Sequence, residues 1–330
     1  MSRIGIIGAG AWGTALALVA HQAGNDVVIQ AHEADVANNI NKGHRNDLFL
    51  PTFDLDPAIK ATSDIDEATD ADAVLLVAPA QHLRSVCGAA AEYWPDNVPA
   101  IICAKGIEQE SCALMSEAVG EMLPGKPLAV LSGPTFAAEV ANGLPTAVTL
   151  ACRDETMAKV LMETLSSKRF RIYRSHDVIG AQIGGAVKNV LAIACGIVEG
   201  RNLGDNTRAA LVTRGLAEIV RLGIAKGAVA ETLSGLSGLG DLTLTCNAMQ
   251  SRNFSLGVAL GEGRTLDEIM AERNSVAEGV HTASSVTDLA RRLDVDLPIC
   301  TAVDGVINNY ADIDATINGL LARPLKAELA

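Results

Sequence analysis

The strongest constraint on the fold lies at the amino end, where RIGIIG, AGAWG and TALALVAHQAG follow one another over residues 3–24. A short apolar run, a glycine turn and a helical pattern closing on Gly24 lead into a second apolar run, DVVIQA, at 26–31. Strand, glycine turn, helix and strand form the context in which G-x-G-x-x-G binds a dinucleotide. Each glycine has a separate physical task. Gly8 permits the tight turn, Gly10 lets the backbone approach a pyrophosphate, and Gly13 lets helix and strand pack closely. Ala11 and Trp12 lie in the same turn, at a helix N-terminus whose free amides suit phosphate. The competing use of such a sequence is an ordinary tight strand-to-helix turn.

The end of the second strand bears on the choice of nucleotide. A site selective for NAD usually places Asp or Glu there, on the ribose hydroxyls. This chain reads Ile29-Gln30-Ala31-His32-Glu33. No carboxylate stands directly on the strand end, and His32 suits a 2′-phosphate, while Glu33 keeps a preference for NAD open. The expectation is use of both NADH and NADPH.

Further apolar runs lie at 73–78, 100–104, 128–131, 146–151 and 169–173, with a helix expected at 81–92. Continuous apolar strands alternating with helices predict a doubly wound, parallel, Rossmann-type α/β sheet. Ligands of such sheets bind beyond the carboxyl ends of the strands. Lys105 and the turn Gly133-Pro134-Thr135 fall at two such ends. For Lys105 the alternative is a solvated loop lysine.

The chain has 330 residues, which favours two domains. Its net charge of −13 argues against a nucleic-acid or anionic-membrane surface, since both need a basic face. Seven scattered cysteines, with no CxxC and no zinc spacing, fit a reduced cytoplasmic setting without a metal. The amino end reads as a strand and turn rather than a signal peptide. After about residue 178 helical periodicity takes over, at 178–199, 207–226, 252–261, 265–271 and 279–292. The expected division is a dinucleotide-binding domain at 1–178 and a mostly α-helical substrate-binding and catalytic domain at 179–330.

Between residues 178 and 198 the only charged side chain is Lys188. The run is long enough to cross a membrane, but Lys188, Asn189 and four glycines within it argue against insertion. The neighbours three and four residues away are Gly184, Gly185, Leu191 and Ala192, none a counter-ion. Asp177 and Glu199 share its helical phase but stand about 16 Å away along the axis. A desolvated lysine has a lowered pKa and exchanges a proton near neutrality. The alternative is a lysine that snorkels to water at the domain seam. The adjacent glycines read as clearance for a ligand or another backbone, and Asn189 as a bond across the seam.

Residues 234–253, SGLSGLGDLTLTCNAMQSRN, read as a glycine-rich loop carrying Asp241, Thr245, Ser251, Arg252 and Asn253. Asp241 suits a substrate hydroxyl or orientation of the lysine. Arg252 and Asn253, at an expected helix start, suit a phosphate. A turn with Asx bonding and an N-cap is the alternative.

These pieces occur in one order: GxGxWGT, Lys105-Gly106, GPTFAxE at 133–139, Val187-Lys188-Asn189-Val190, GxGDL at 238–242 and Ser251-Arg252-Asn253. Over essentially its whole length the chain closely resembles the NAD(P)-dependent glycerol-3-phosphate dehydrogenases of the bacterial type. The resemblance implies a cytoplasmic homodimer, with no membrane insertion and no nucleic acid, that uses NAD or NADP and no metal. It implies interconversion of dihydroxyacetone phosphate and sn-glycerol 3-phosphate for glycerophospholipid synthesis. It assigns the catalytic proton to Lys188, and substrate contacts to Lys105, Gly133, Thr135, Asp241, Ser251, Arg252 and Asn253. It assigns cofactor contacts to Trp12, His32, Lys105, Ala137, Arg252, Val276 and Glu278. Three positions depart from the family pattern: Thr135 stands where many members have Ser, Gln30 where an aromatic is frequent, and no Arg lies near His32. The last two bear on NADH against NADPH. Dehydrogenases of the β-hydroxyacid or 6-phosphogluconate type share the fingerprint and an interdomain lysine, but GPTFAAEV and SRN point away from them. A nucleotide-sensing module would need the fingerprint without Lys188, Asp241 and Arg252 together.

Overall fold

Each apolar run of the first half forms a strand in the computed structural model, which describes residues 1–272, 277–325 and 327. The strands are β1 (Arg3–Ile7), β2 (Asp26–Gln30), β3 (Arg45–Asn46), β4 (Leu50–Asp54), β5 (Lys60–Thr62), β6 (Ala73–Leu76), β7 (Ala100–Ile102), β8 (Leu128–Ser132), β9 (Thr146–Ala151) and β10 (Phe170–Ser175). Eight of them form one sheet in the order β10-β9-β8-β7-β6-β1-β2-β5, and β3 pairs with β4 apart from it. β6 and β7 are buried throughout, as strands covered on both faces must be.

The chain leaves β1 toward β2 and β5, then returns to place β6 on the other side of β1. That reversal opens a crevice at the carboxyl ends of β1 and β6, the usual ligand position in such sheets. One expectation is corrected here. The sheet is mostly, not wholly, parallel, because β9 runs antiparallel to β8, with Ser132 opposite Thr149. The link between them holds only the short helix Ala137–Ala141, of five residues. A parallel return needs a crossover that spans the sheet face, and one helical turn does not.

Two apolar cores flank the sheet, and a third fills the helical half. The long helix Val178–Gly200 joins them. Val178 and Ala181 pack in a sheet core, and Ile183 through Ile197 pack in the helical core. Its hydropathy alone would pass for a membrane span, yet 94% of that window is buried inside the fold. Its closest partner is the helix Arg252–Gly261. A Cβ at Gly196 would stand 2.1 Å from the Phe254 carbonyl oxygen, and one at Gly257 2.1 Å from that of Ile193. Backbone touches backbone there, so small residues are obligatory.

The expected loop at 234–253 is the second correction. Residues Leu236–Gly240 form a π-helical turn that runs directly into the helix Asp241–Thr245. The glycines that suggest a loop serve close packing instead. A Cβ at Gly238 would lie 1.9 Å from the Leu233 carbonyl oxygen, and one at Gly184 2.4 Å from that of Ser237. Helices Pro298–Asn308 and Ile313–Leu321 and the small β3–β4 hairpin have no counterpart in the sequence reading.

Candidate active site

The glycine turn follows β1 at the crevice. Gly8 has φ +111°, a conformation that suits glycine, and a Cβ there would lie 2.9 Å from the Ala78 amide nitrogen. A Cβ at Gly13 would lie 1.9 Å from the Gly8 carbonyl oxygen, so the helix Ala11–Gln22 packs against the turn only through glycine. At Gly10 a Cβ would meet nothing within 4 Å. That open space lies over the helix start, where the first amides have no intrahelical partner. A pyrophosphate fits it, with Ala11 and Trp12 alongside. The Trp12 indole nitrogen is buried without a partner. The turn is held from outside by Asn46, 1% exposed, whose amide donates to the Ala9 carbonyl and the Thr14 hydroxyl, both at 2.8 Å. Sequence reading missed Asn46, which carries no motif and acts from a separate hairpin.

Lys188 projects from the long helix with its side chain 8% exposed. Its ammonium donates to Asp241 Oδ1 and, at 2.9 Å, to Thr245 Oγ1. Lys105, beyond β7, donates to Asp241 Oδ2 at 2.6 Å and to the Gly133 carbonyl at 2.8 Å. The Asp241 side chain is fully buried between the two ammonium groups. Thr135 donates to the same Gly133 carbonyl at 3.2 Å. Lys188, Asp241, Thr245, Lys105, Gly133 and Thr135 therefore form one network across the seam. Burial pushes the Lys188 ammonium down to about 8. Asp241 opposes that shift and Lys105 adds to it.

The glycines beside Lys188 give clearance to neighbouring protein atoms, and Gly184 to another backbone as expected. A Cβ at Gly185 would stand 2.8 Å from Ser132 Oγ and 3.4 Å from Lys105 Cγ. The clearance is for the Ser132 hydroxyl and for the backbone of the π turn.

The SRN run stands at the start of its helix. Ser251 Oγ accepts from the Phe254 amide at 3.2 Å and caps the helix, so this hydroxyl is engaged in structure. Asn253 donates to Asn189 Oδ1 at 2.9 Å and accepts from the Gly279 amide at 2.9 Å. Asn189 thus bonds a side chain within the helical half, not backbone across the seam. Arg252 is exposed at the helix start. Glu278 opens the helix Glu278–Arg292, and its carboxylate accepts from the Ala80 amide across the seam at 3.4 Å. Burial pushes the Glu278 carboxyl up, while Ala80, Arg252 and His82 pull it down. Gly106 lies beneath, where a Cβ would meet Ala80 Cβ at 2.6 Å. Ala137 is partly buried at the start of its short helix, and His32 is exposed beyond β2. Val276 lies outside the described residues. All seven cysteines are buried and free, and among the described residues no three metal-ligating side chains gather.

The geometry assembles a dinucleotide turn, a paired-lysine centre and a basic helix start. Comparison with known proteins matches both halves of the chain. A family model described as the N-terminus of NAD-dependent glycerol-3-phosphate dehydrogenase matches residues 3–158, and its C-terminal counterpart matches 177–318. A glycerol-3-phosphate dehydrogenase [NAD(P)+] of Rhodospirillum rubrum is 60% identical over 329 residues, covering 99% of this chain and 94% of that protein. One from Parvibaculum lavamentivorans is 55% identical over 99% of this chain and 98% of its own length. The crystal structure of glycerol-3-phosphate dehydrogenase from Coxiella burnetii superposes with a TM-score of 0.94 at 38% identity, covering 98% of this chain and 99% of that one. On these matches, which span both halves, the chain belongs to the NAD-dependent glycerol-3-phosphate dehydrogenase family.

Proposed function

We propose that the chain reduces dihydroxyacetone phosphate reversibly to sn-glycerol 3-phosphate, the glycerophospholipid backbone, at the Lys188–Asp241–Lys105 centre, using NADH or NADPH. The observation that carries the reading is the pair of ammonium groups on one buried carboxylate, beside a glycine turn that fits a dinucleotide. The bound dihydronicotinamide supplies the hydride. Lys188 donates the proton to the C2 oxygen as that oxygen gains charge, and solvent restores the proton after release. Lys105 adds a second positive charge toward the same oxygen. Asp241 holds both ammonium groups in place, so no reorientation is needed during the step. Two cations on one anion leave a net positive centre, which favours the developing alkoxide. Thr245, beside Asp241, accepts a second bond from the Lys188 ammonium and helps to fix it. Arg252, at the start of a capped helix, takes the substrate phosphate together with the helix amides. Ser251 and Asn253 position that helix start. In the oxidative direction Lys188 accepts the proton.

The reading is tested by following nicotinamide absorbance with dihydroxyacetone phosphate and NADH or NADPH and, in parallel, with 3-oxo acids and the same reduced nucleotides, and with 6-phosphogluconate and NAD+ or NADP+. Turnover with dihydroxyacetone phosphate alone supports it. Turnover only with the acids would move the chain to the β-hydroxyacid or 6-phosphogluconate type, which the family matches do not favour. The family resemblance also supports a cytoplasmic homodimer, and light scattering of the purified chain measures that state.

A further inference from the structure

We propose that Arg292 positions Lys105 for the reaction by clamping the loop that carries it. The proposal rests on the reading that Lys105 serves the reduction. Lys105 opens a loop that runs from the end of β7 to the helix Met115–Met122. The base of the loop is closed by Ile107, which bridges to Leu114, and by the Glu108 amide, which donates to the Ala113 carbonyl at 3.0 Å. At the tip Glu110 has φ +62° and Cys112 φ +59°, two residues other than glycine in the left-handed region. Such backbone persists only where its surroundings hold it.

The helix Glu278–Arg292 lies along this loop. A Cβ at Gly106, next to Lys105, would stand 3.6 Å from Thr282 Oγ1, near the helix start. Further along, the Gln109 side chain donates to Ser284 Oγ at 3.4 Å. At the far end the Arg292 guanidinium donates to the Glu110 carbonyl at 2.6 Å and to the Ser111 carbonyl at 2.7 Å. A cation in a last helical turn suits the helix dipole. This one reaches off its own helix and binds the tip of the loop. Its donors are fixed in one plane, so it sets the direction of two consecutive carbonyls at once.

The sheet half grips the same loop nearer its base. Arg84 pairs with both oxygens of Glu108 at 2.8 and 2.9 Å, and Gln81 donates to the Ile107 carbonyl at 3.0 Å. The strained tip is held across the seam, by Arg292. The helix that carries Arg292 has 15 residues, about 22 Å in length. Its first residue, Glu278, accepts from the Ala80 amide of the sheet half, and its last clamps the loop. One rigid element thus ties the loop to the helical half at two distant points. Lys105 must reach Asp241 across that same seam. A clamp on the loop fixes how far its ammonium has to extend.

The test is steady-state reduction of dihydroxyacetone phosphate by the full-length protein and its variants. Arg292→Leu should lower kcat about tenfold through misplacement of Lys105. Arg292→Lys, which keeps a cationic donor, should restore part of that loss. Made on a Lys105→Met background, Arg292→Leu should change kcat less than about twofold, because the group it acts through is gone. The pH profile gives a second readout. With the Lys105 charge withdrawn, Lys188 keeps Asp241 and the Cys246 thiol as neighbours and holds its proton more tightly. The alkaline fall in kcat/KM should therefore move to higher pH in Arg292→Leu, the direction in which Lys105→Met moves it. A merely structural role would lower stability without producing the coupling or the shifted profile. Full turnover by Arg292→Leu, an equal loss in both backgrounds, or an unmoved profile would overturn the proposal. If Lys105→Met itself keeps full turnover, the role assigned to Lys105 falls and this inference with it. If Lys105→Met loses turnover and Arg292→Leu keeps it, the inference alone fails.

Discussion

Lys105, from the sheet, and Lys188, from the long helix, bind opposite oxygens of a single carboxylate, that of Asp241. Either lysine alone would be an ordinary ion pair. Together they form a centre with one net positive charge, supplied from both halves of the chain.

Replacing Lys188 by Ala removes the proton donor. Turnover of dihydroxyacetone phosphate should fall by about three orders of magnitude or more, the upper range for a general acid. Affinity for NADH, measured by titration, should change less than about twofold, because the glycine turn is untouched. Retention of most activity would remove Lys188 from its role.

The pH dependence follows from the lowered Lys188 value of about 8. Reduction uses the cationic form, so kcat/KM for dihydroxyacetone phosphate should be flat below that pH and fall about tenfold per unit above it. Oxidation needs the neutral form and should rise over the same range. For stability the sign is opposite to that of a group gaining a partner. The folded chain binds this proton more weakly than the unfolded one, whose lysine keeps the ordinary 10.5. The contribution of Lys188 to stability therefore rises with pH between about 8 and that value. A profile of initial rates across pH in both directions checks the first claim.

Gly185→Ala tests what the glycine clears. The added methyl would lie 2.8 Å from Ser132 Oγ and against the Lys105 stem. We expect a stability loss of about 1–3 kcal/mol from overpacking against the Ser132 hydroxyl, with kcat changed less than about threefold because Lys105 Cγ at 3.4 Å would be in ordinary contact. A tenfold or larger fall in kcat would show instead that the strain reaches Lys105.

Asn46→Ala leaves the Ala9 carbonyl and Thr14 hydroxyl without their donor. NADH should bind about tenfold more weakly, in line with one to two lost buried hydrogen bonds. KM for dihydroxyacetone phosphate at saturating NADH should move much less. Equal effects on both would mark Asn46 as a general structural residue.

The parts of this site legible in the sequence are those where local pattern and chemistry coincide. The glycine turn declares itself because strand, turn and helix are contiguous, and Lys188 because it is the only charge between residues 178 and 198. Asp241 was visible as a candidate, but its place between two lysines is a tertiary fact. Gly235, Gly238 and Gly240 signal a loop by propensity, while the tight approach of the Leu233 and Ser237 backbones makes that segment helical. The helix Pro298–Asn308 escaped because its stabilisation is remote. Buried Glu218, on the helix Asp205–Lys226, accepts the Ile299 and Cys300 amides at 2.7 and 3.0 Å and caps it from another helix. The direction of β9 depends on how far the preceding link can reach, which apolar patterning does not encode.

The long helix that begins in a sheet core and ends in the helical core has a consequence for unfolding. Ile107, Cys112 and Leu114, from the first half of the chain, also pack in the helical core. Neither half closes its interior without residues of the other, so severing the chain at the start of that helix would leave two exposed apolar surfaces. Calorimetry should record one cooperative melting transition, in which the lysine centre and the nucleotide crevice are lost together.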